Sequence, residues 1–207
     1  MTKSFLGALA VVVLSLTPSA ARSAANLLAN GDFGRGFASW GGNSYAGGEG
    51  SVGVAYAGSG EDEQSFARLT KTRGPGGAQM FQTASLPKGV DRLRFAFRAK
   101  GCPSNVYVKF LRADGRTPFL DSRGQPAQAK VVFSGAQGWT PVSATLQVPA
   151  AAQADGGRVV VHFGILGGAT EVVLCVDDVV LSPEQAETSA PAPLTFAFAP
   201  TPAPDET

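Results

Sequence analysis

Between residues 26 and 181, apolar and polar side chains alternate one by one in short runs that are broken by glycine and proline. A period of two belongs to a strand with one face on a core and the other in water. Leu93, Phe95 and Phe97 alternate with Arg92, Arg94, Ala96 and Arg98, and Val106, Val108 and Phe110 alternate with Asn105, Tyr107 and Lys109. Val142, Ala144, Leu146 and Val148 alternate with Ser143, Thr145 and Gln147. Two segments differ: 159–165 and 172–181 are apolar at nearly every position, the pattern of strands at the centre of a sheet rather than its edge. Further strands are expected near 66–70, 79–84 and 130–133. No amphipathic helical period accompanies them, and the prediction is an all-β fold, a jelly-roll β-sandwich.

The intervals between these strands read as connections. Residues 41–62 are rich in glycine and carry Tyr45 and Tyr56, and 114–124 is polar with Pro118 and Phe119, so both are expected to be long loops. The two ends of the chain have a different character. Lys3 precedes an apolar run from Phe5 to Leu16, followed by Thr17-Pro18-Ser19 and small residues up to Ala25, which is the layout of a secretory signal peptide. The run falls short of the roughly 20 apolar residues of a membrane span. Cleavage is expected before Asn26. Beyond Leu181 come six prolines and four acids with no basic residue, which predicts a disordered acidic tail; Leu194, Phe196 and Phe198 alternate within it. The expected organisation is therefore a signal peptide over 1–25, a sandwich over 26–183 and a tail over 184–207, in a secreted or periplasmic protein.

Charge narrows the classes of partner. The formal net charge is +1, and removing Lys3 and Arg22 with the leader leaves 15 basic against 16 acidic residues. A near-neutral chain without a basic run gives no footprint for nucleic acid or for an anionic membrane surface. Two cysteines, Cys102 and Cys175, allow either one disulfide or two separate buried thiols, the choice depending on whether their Cα atoms come within about 7 Å.

The inventory for catalysis is thin. His162 is the one histidine, which excludes a multi-histidine metal site, and no G-x-S-x-G motif is present. Its mid-strand position reads as a surface histidine rather than a catalytic one. Asp177 and Asp178 are neighbours in a strand and point to opposite faces, so they do not form a glycosidase pair. Glu61-Asp62-Glu63 reads as a solvated turn, and Gly74, Gly76 and Gly77 read as a turn rather than a phosphate loop, since no helix with Lys and Ser/Thr follows.

The segment Asn26-Leu27-Leu28-Ala29-Asn30-Gly31-Asp32-Phe33, with Gly36 and Trp40 after it, resembles the opening strand of carbohydrate-binding modules of the cellulase- and xylanase-associated type, which are galactose-binding-like β-sandwiches. Val176-Asp177-Asp178-Val179-Val180-Leu181 is similar to their closing strand. Ser65 to Leu69 and Gly138-Trp139-Thr140 resemble two strand starts between these ends. The resemblance covers about residues 26 to 181 and implies a secreted, non-catalytic, monomeric module whose partner is a polysaccharide or surface glycan and which needs no cofactor. The same likeness allows a structural calcium ion, with Asp177 and Asp32 as ligands. The family's glutamate after the aromatic residue is here Gly34, which weakens such a site, because calcium takes about six to eight oxygens. The alternative is that Asp177 bonds backbone amides of the N-terminal segment.

Sugar faces bury their C–H surface on aromatic rings while neighbouring polar groups satisfy the hydroxyls. Strand parity turns Arg94, Arg98, Tyr107, Lys109 and His162 away from the core, and these residues are expected to form one binding face, with Tyr107 the foremost single candidate for contact with a ligand. Tyr45, Tyr56 and Phe119 are candidates for a loop-tip site. Trp40 and Trp139 are expected to pack rather than bind. The rival function is an extracytoplasmic structural or adhesive sandwich that grips another protein.

Overall fold

The computed structural model describes residues 25–58, 64–165 and 170–184. The signal-peptide stretch, Glu61-Asp62-Glu63 and the tail beyond Glu184 lie outside the described residues. Among the described residues ten strands form two antiparallel five-stranded sheets. The first sheet runs, in spatial order, β1 (Gly41–Tyr45), β4 (Gly77–Leu86), β9 (Gly157–Ile165), β6 (Ser104–Leu111) and β7 (Gln128–Phe133). The second runs β2 (Glu49–Ala57), β3 (Gln64–Arg73), β10 (Val172–Pro183), β5 (Arg92–Gly101) and β8 (Ala136–Gln147). The two apolar segments are β9 and β10, and each is the middle strand of its sheet.

The inward-facing sets meet between the sheets. Leu93, Phe95 and Phe97 of β5, Val106, Val108 and Phe110 of β6, and Leu174 and Val176 of β10 are all buried. Phe163 of β9 lies 5.1 Å from Phe97 and 6.2 Å from Phe95, tying one sheet to the other. Burying each such side chain contributes about 1.5–3 kcal/mol relative to exposure.

The opening motif is part of this core. Phe33 is fully buried, 5.4 Å from the buried Trp40, whose indole N–H donates to the Asn30 carbonyl. Asn26 joins the two ends of the domain: its Oδ1 accepts from the Leu181 amide and its Nδ2 donates to the Val179 carbonyl. Gln82 exchanges two hydrogen bonds with Ala29 from β4. The residues that carry the family likeness therefore hold the sandwich closed.

Two expectations are corrected. The stretch expected to be a loop over 41–62 supplies, in its described part, β1 and β2. Its glycines hide strands from propensity while permitting close approach; a Cβ on Gly42 would lie 2.7 Å from the Val52 side chain, and one on Gly50 would lie 2.0 Å from the Thr70 carbonyl oxygen. A six-residue helix, α1 (Ala150–Asp155), also occurs, with Ala152 as its buried residue. It is too short to show a 3.6-residue period. Among the described residues no helix is long and apolar enough to cross a membrane.

Candidate functional site

The parity of each predicted residue is right, but the expected single face is two. Tyr107 and Lys109 on β6 and His162 on β9 share the outer face of the first sheet. Arg94 and Arg98 stand on β5, in the second sheet, and face the opposite side of the molecule. Alternation separates inside from outside; it does not say which sheet a strand joins. Tyr56 is 60% exposed on β2, the edge strand of the second sheet. Phe119 is buried, under the Arg112 guanidinium at 5.1 Å, and is no loop-tip ligand.

Register turns the first face into rows. Gly41, Phe81, His162, Tyr107 and Lys130 stand opposite one another across all five strands. Asn43, Gln79, Gly164, Asn105 and Val132 form the next row. Phe81 is 36% exposed, and its ring centroid is 6.3 Å from that of His162. A Cβ on Gly41 would come within 2.8 Å of the Phe81 ring, so glycine there lets the ring lie across the edge strand. Tyr45 closes one end of the face; it lies over Gly77 and its hydroxyl donates to the Ile165 carbonyl at 3.4 Å. Phe81 and Tyr107 are two strand spacings apart, about 10 Å, which is wider than one sugar ring.

A hydrogen-bonded chain crosses the face. The Asn43 Oδ1 accepts from Gln79 Nε2 at 2.8 Å, which turns the Gln79 Oε1 to His162 Nε2 at 2.7 Å. With that N–H committed, His162 Nδ1 is an acceptor, and it has no partner among the described residues. Burial, with the nearby Lys109 charge, holds the His162 imidazolium below the ordinary histidine range. The ring is therefore neutral near pH 7 and is oriented by an amide, not by a carboxylate. Rings for stacking and amides for hydroxyls are what this face offers. Sequence reading passed over Phe81, Gln79, Asn43, Asn105 and Lys130; the signal available was the odd-numbered parity of β4 opposite Met80 and Ala84.

The second sheet's outer face has its ring covered. Trp139 lies under Lys100 Nζ at 4.8 Å and the Arg98 guanidinium at 5.5 Å, with Phe66 edge-on at 5.4 Å. Its packing role matches expectation. Beside it β10 bulges: Asp178 adopts φ 51° and the register with β5 shifts between Asp177 and Val180. Asp177, 4% exposed, accepts from Arg98 Nη2 at 2.8 Å and from the Asp178 amide, and Arg98 Nε lies 2.7 Å from Asp178. Asp32 accepts instead from the Gly34 amide. The Asp177 carboxylate is already matched by a guanidinium, and among the described residues no group of three or more His, Cys, Asp or Glu is placed to hold a metal ion. The two expected calcium ligands thus have separate partners, the Arg98 guanidinium for Asp177 and the Gly34 amide for Asp32. Asp177 does not bond the N-terminal segment, where Asn26 makes those contacts. Both cysteines are free thiols, and burial pushes each of them up.

Burial is also the first cause that pushes the Asp177 carboxyl above the ordinary range, against the pull of the Asp178 amide and Arg98. A carboxyl raised on folding contributes stability below its ordinary pKa and loses it as the pH climbs through the raised value. Removing Arg98 raises it further. Arg98→Ala is therefore expected to cost roughly 2 kcal/mol at pH 7.5 and much less at pH 3.5, where Asp177 is protonated. Denaturant midpoints at the two pH values check this; an equal deficit at both would show that the guanidinium acts only by packing.

No protein-family model matches the chain, and no curated protein matches it in sequence. Solved structures do. A family 16 carbohydrate-binding module aligns over 75% of this chain and 99% of its own at 19% identity, TM-score 0.51. A family 61 module in complex with β-1,4-galactotriose aligns over 77% of this chain and 99% of its own at 18% identity, TM-score 0.50. The enzymatically active domain of a tailspike protein from bacteriophage CBA120 aligns over 76% of this chain at 13% identity, TM-score 0.58, and this chain spans 21% of it. At such identities the likeness is one of architecture. The chain has the β-sandwich fold of carbohydrate-binding modules.

Proposed function

We propose that this chain is an exported, non-catalytic module that holds a polysaccharide or surface glycan on the outer face of its first sheet. The observation that carries this reading is the row Phe81, His162 and Tyr107, flanked by the amides of Asn43, Gln79 and Asn105. One exposed and two half-buried rings with amides beside them suit a sugar's apolar faces and hydroxyls together. The signal-peptide pattern before Asn26 supports export, and the pairing of His162 Nε2 with the Gln79 amide, with no nucleophile or carboxylate paired with the ring among the described residues, supports a binding role.

Affinity electrophoresis through gels containing xylan, mixed-linkage β-glucan, polygalacturonate and peptidoglycan fragments tests it, using protein recovered from periplasm or medium, where an N-terminus at Asn26 is expected. At least one polymer is expected to retard the native chain. Tyr107→Ala and Phe81→Ala are each expected to weaken that binding about 10-fold, or 1.4 kcal/mol. Arg94→Ala, on the other sheet, is expected to leave it unchanged. Retardation by none of the polymers would reject the glycan reading. A loss of binding with Arg94→Ala but not with the ring variants would reject this face and place the glycan on the outer face of the second sheet.

A further inference from the structure

We infer that the glycan held on the first sheet is acidic, a polymer bearing carboxylates such as uronic acids; this inference rests on the glycan reading above. The five strands of that sheet contain no aspartate or glutamate at any position. Their outward side chains include Lys109, Lys130 and Arg158, all exposed. Arg158 is bound at one end of the sheet, donating to the Ala113 carbonyl. The two lysines surround Tyr107: Lys130 stands directly opposite it on β7, and Lys109 follows two residues along β6 on the same face, about 7 Å away. Neither lysine has an ion-pair partner among the described residues, whereas on the second sheet Arg73 is paired with Glu49 and Arg98 with Asp177 and Asp178. The acids of the adjoining loop are turned inward on their own backbone: Asp114 accepts from the amides of Arg116 and Thr117, and Asp121 from those of Arg123 and Gln125.

The chemistry follows from the donors present. A neutral sugar gains its strongest polar contacts when its hydroxyls donate to carboxylates, and this face has none to offer. Its charge-assisted bonds come from ammonium donors, which bind an anionic acceptor more strongly than a neutral hydroxyl. A uronate stacked on Tyr107 places its carboxylate within reach of Lys109 or Lys130, while the Asn105 amide remains for hydroxyls. The fixed geometry of the ring and amides distinguishes such a ligand from a flexible polyanion held by charge alone.

Oligogalacturonate, a neutral xylo-oligosaccharide, dextran sulfate and a single-stranded DNA oligonucleotide serve as probes in titrations of the mature chain at 20 and 500 mM NaCl. Oligogalacturonate is expected to bind at least 10-fold more tightly than the other three and to weaken several-fold at high salt. Lys109→Gln and Lys130→Gln, both at exposed positions, are each expected to cost several-fold for oligogalacturonate, and Tyr107→Ala is expected to cost 10-fold or more. Binding of the neutral sugar with equal affinity and no salt dependence would overturn the acidic preference and leave the glycan reading standing. Equal binding of dextran sulfate or DNA would overturn it in favour of a face that takes any polyanion. If no glycan binds in this assay or in the gels, both readings fall together.

Discussion

A Lys71→Met variant is expected to unfold at a higher temperature than the native chain. Lys71 stands on β3 at the inward parity of Ala67 and Leu69, opposite Gly50 on β2 and Val172 on β10, and it is 0% exposed. Its Nζ has no hydrogen-bond partner among the described residues. Removing an amine from water without a compensating partner costs several kcal/mol, and replacing buried ionic groups by apolar ones of similar volume is stabilising by about 1–4 kcal/mol. Methionine keeps the length of the stem and lacks the charge. The expected gain is about 2 kcal/mol, or roughly 4–8 °C in Tm for a domain of this size. Lys71→Ala separates the charge from the stem, because it removes both and leaves a cavity, so its Tm is expected below that of the methionine variant. Thermal unfolding followed by near-UV circular dichroism measures both. A fall in Tm for Lys71→Met would mean that the amine stabilises the sandwich.

The second large effect is at Gly31. A Cβ there would lie 2.0 Å from the Val179 carbonyl oxygen, a contact that only backbone movement relieves. That carbonyl accepts from Asn26 Nδ2, and the Val179 amide donates to the Gly31 carbonyl, so displacement breaks the seam between the opening and closing segments. Phe33, two residues on, is drawn out of the core by the same movement. Gly31→Ala is expected to cost about 3 kcal/mol or more, at the upper end for an overpacked site. Gly36 provides the comparison. It has φ +66° and nothing within 4 Å of a built Cβ, so Gly36→Ala pays only for the left-handed conformation, about 1–2 kcal/mol. Urea midpoints of the two variants test the contrast, and a Gly31→Ala cost no greater than that of Gly36→Ala would show that the seam yields easily.

These two positions show how differently the layers of the molecule could be read in advance. Gly31 belongs to the opening motif, and the structure gives that motif a mechanical role in joining Asn26 to Val179 and Leu181. Lys71 gave no warning, because a lysine near the end of an alternating run reads as the point where a strand leaves the core. In β1 and β2 the glycines that allow close strand packing also removed the apolar alternation by which strands are found. Tyr107 and His162 were found by parity, but Phe81 and the Asn43–Gln79 chain needed the register of β1, β4 and β9.

By itself the sequence determined which side chains of β5 and β6 face the core and that β9 and β10 are central. Those follow from local rules, a period of two and continuous apolar runs. Only the tertiary structure decided that β5 and β6, consecutive and alike in pattern, go to different sheets, so that Arg94 and Arg98 stand on one side of the molecule and Tyr107, Lys109 and His162 on the other. Sheet membership depends on long-range pairing, β5 with β8 and β10, β6 with β7 and β9, and alternation within one strand carries no record of its partners.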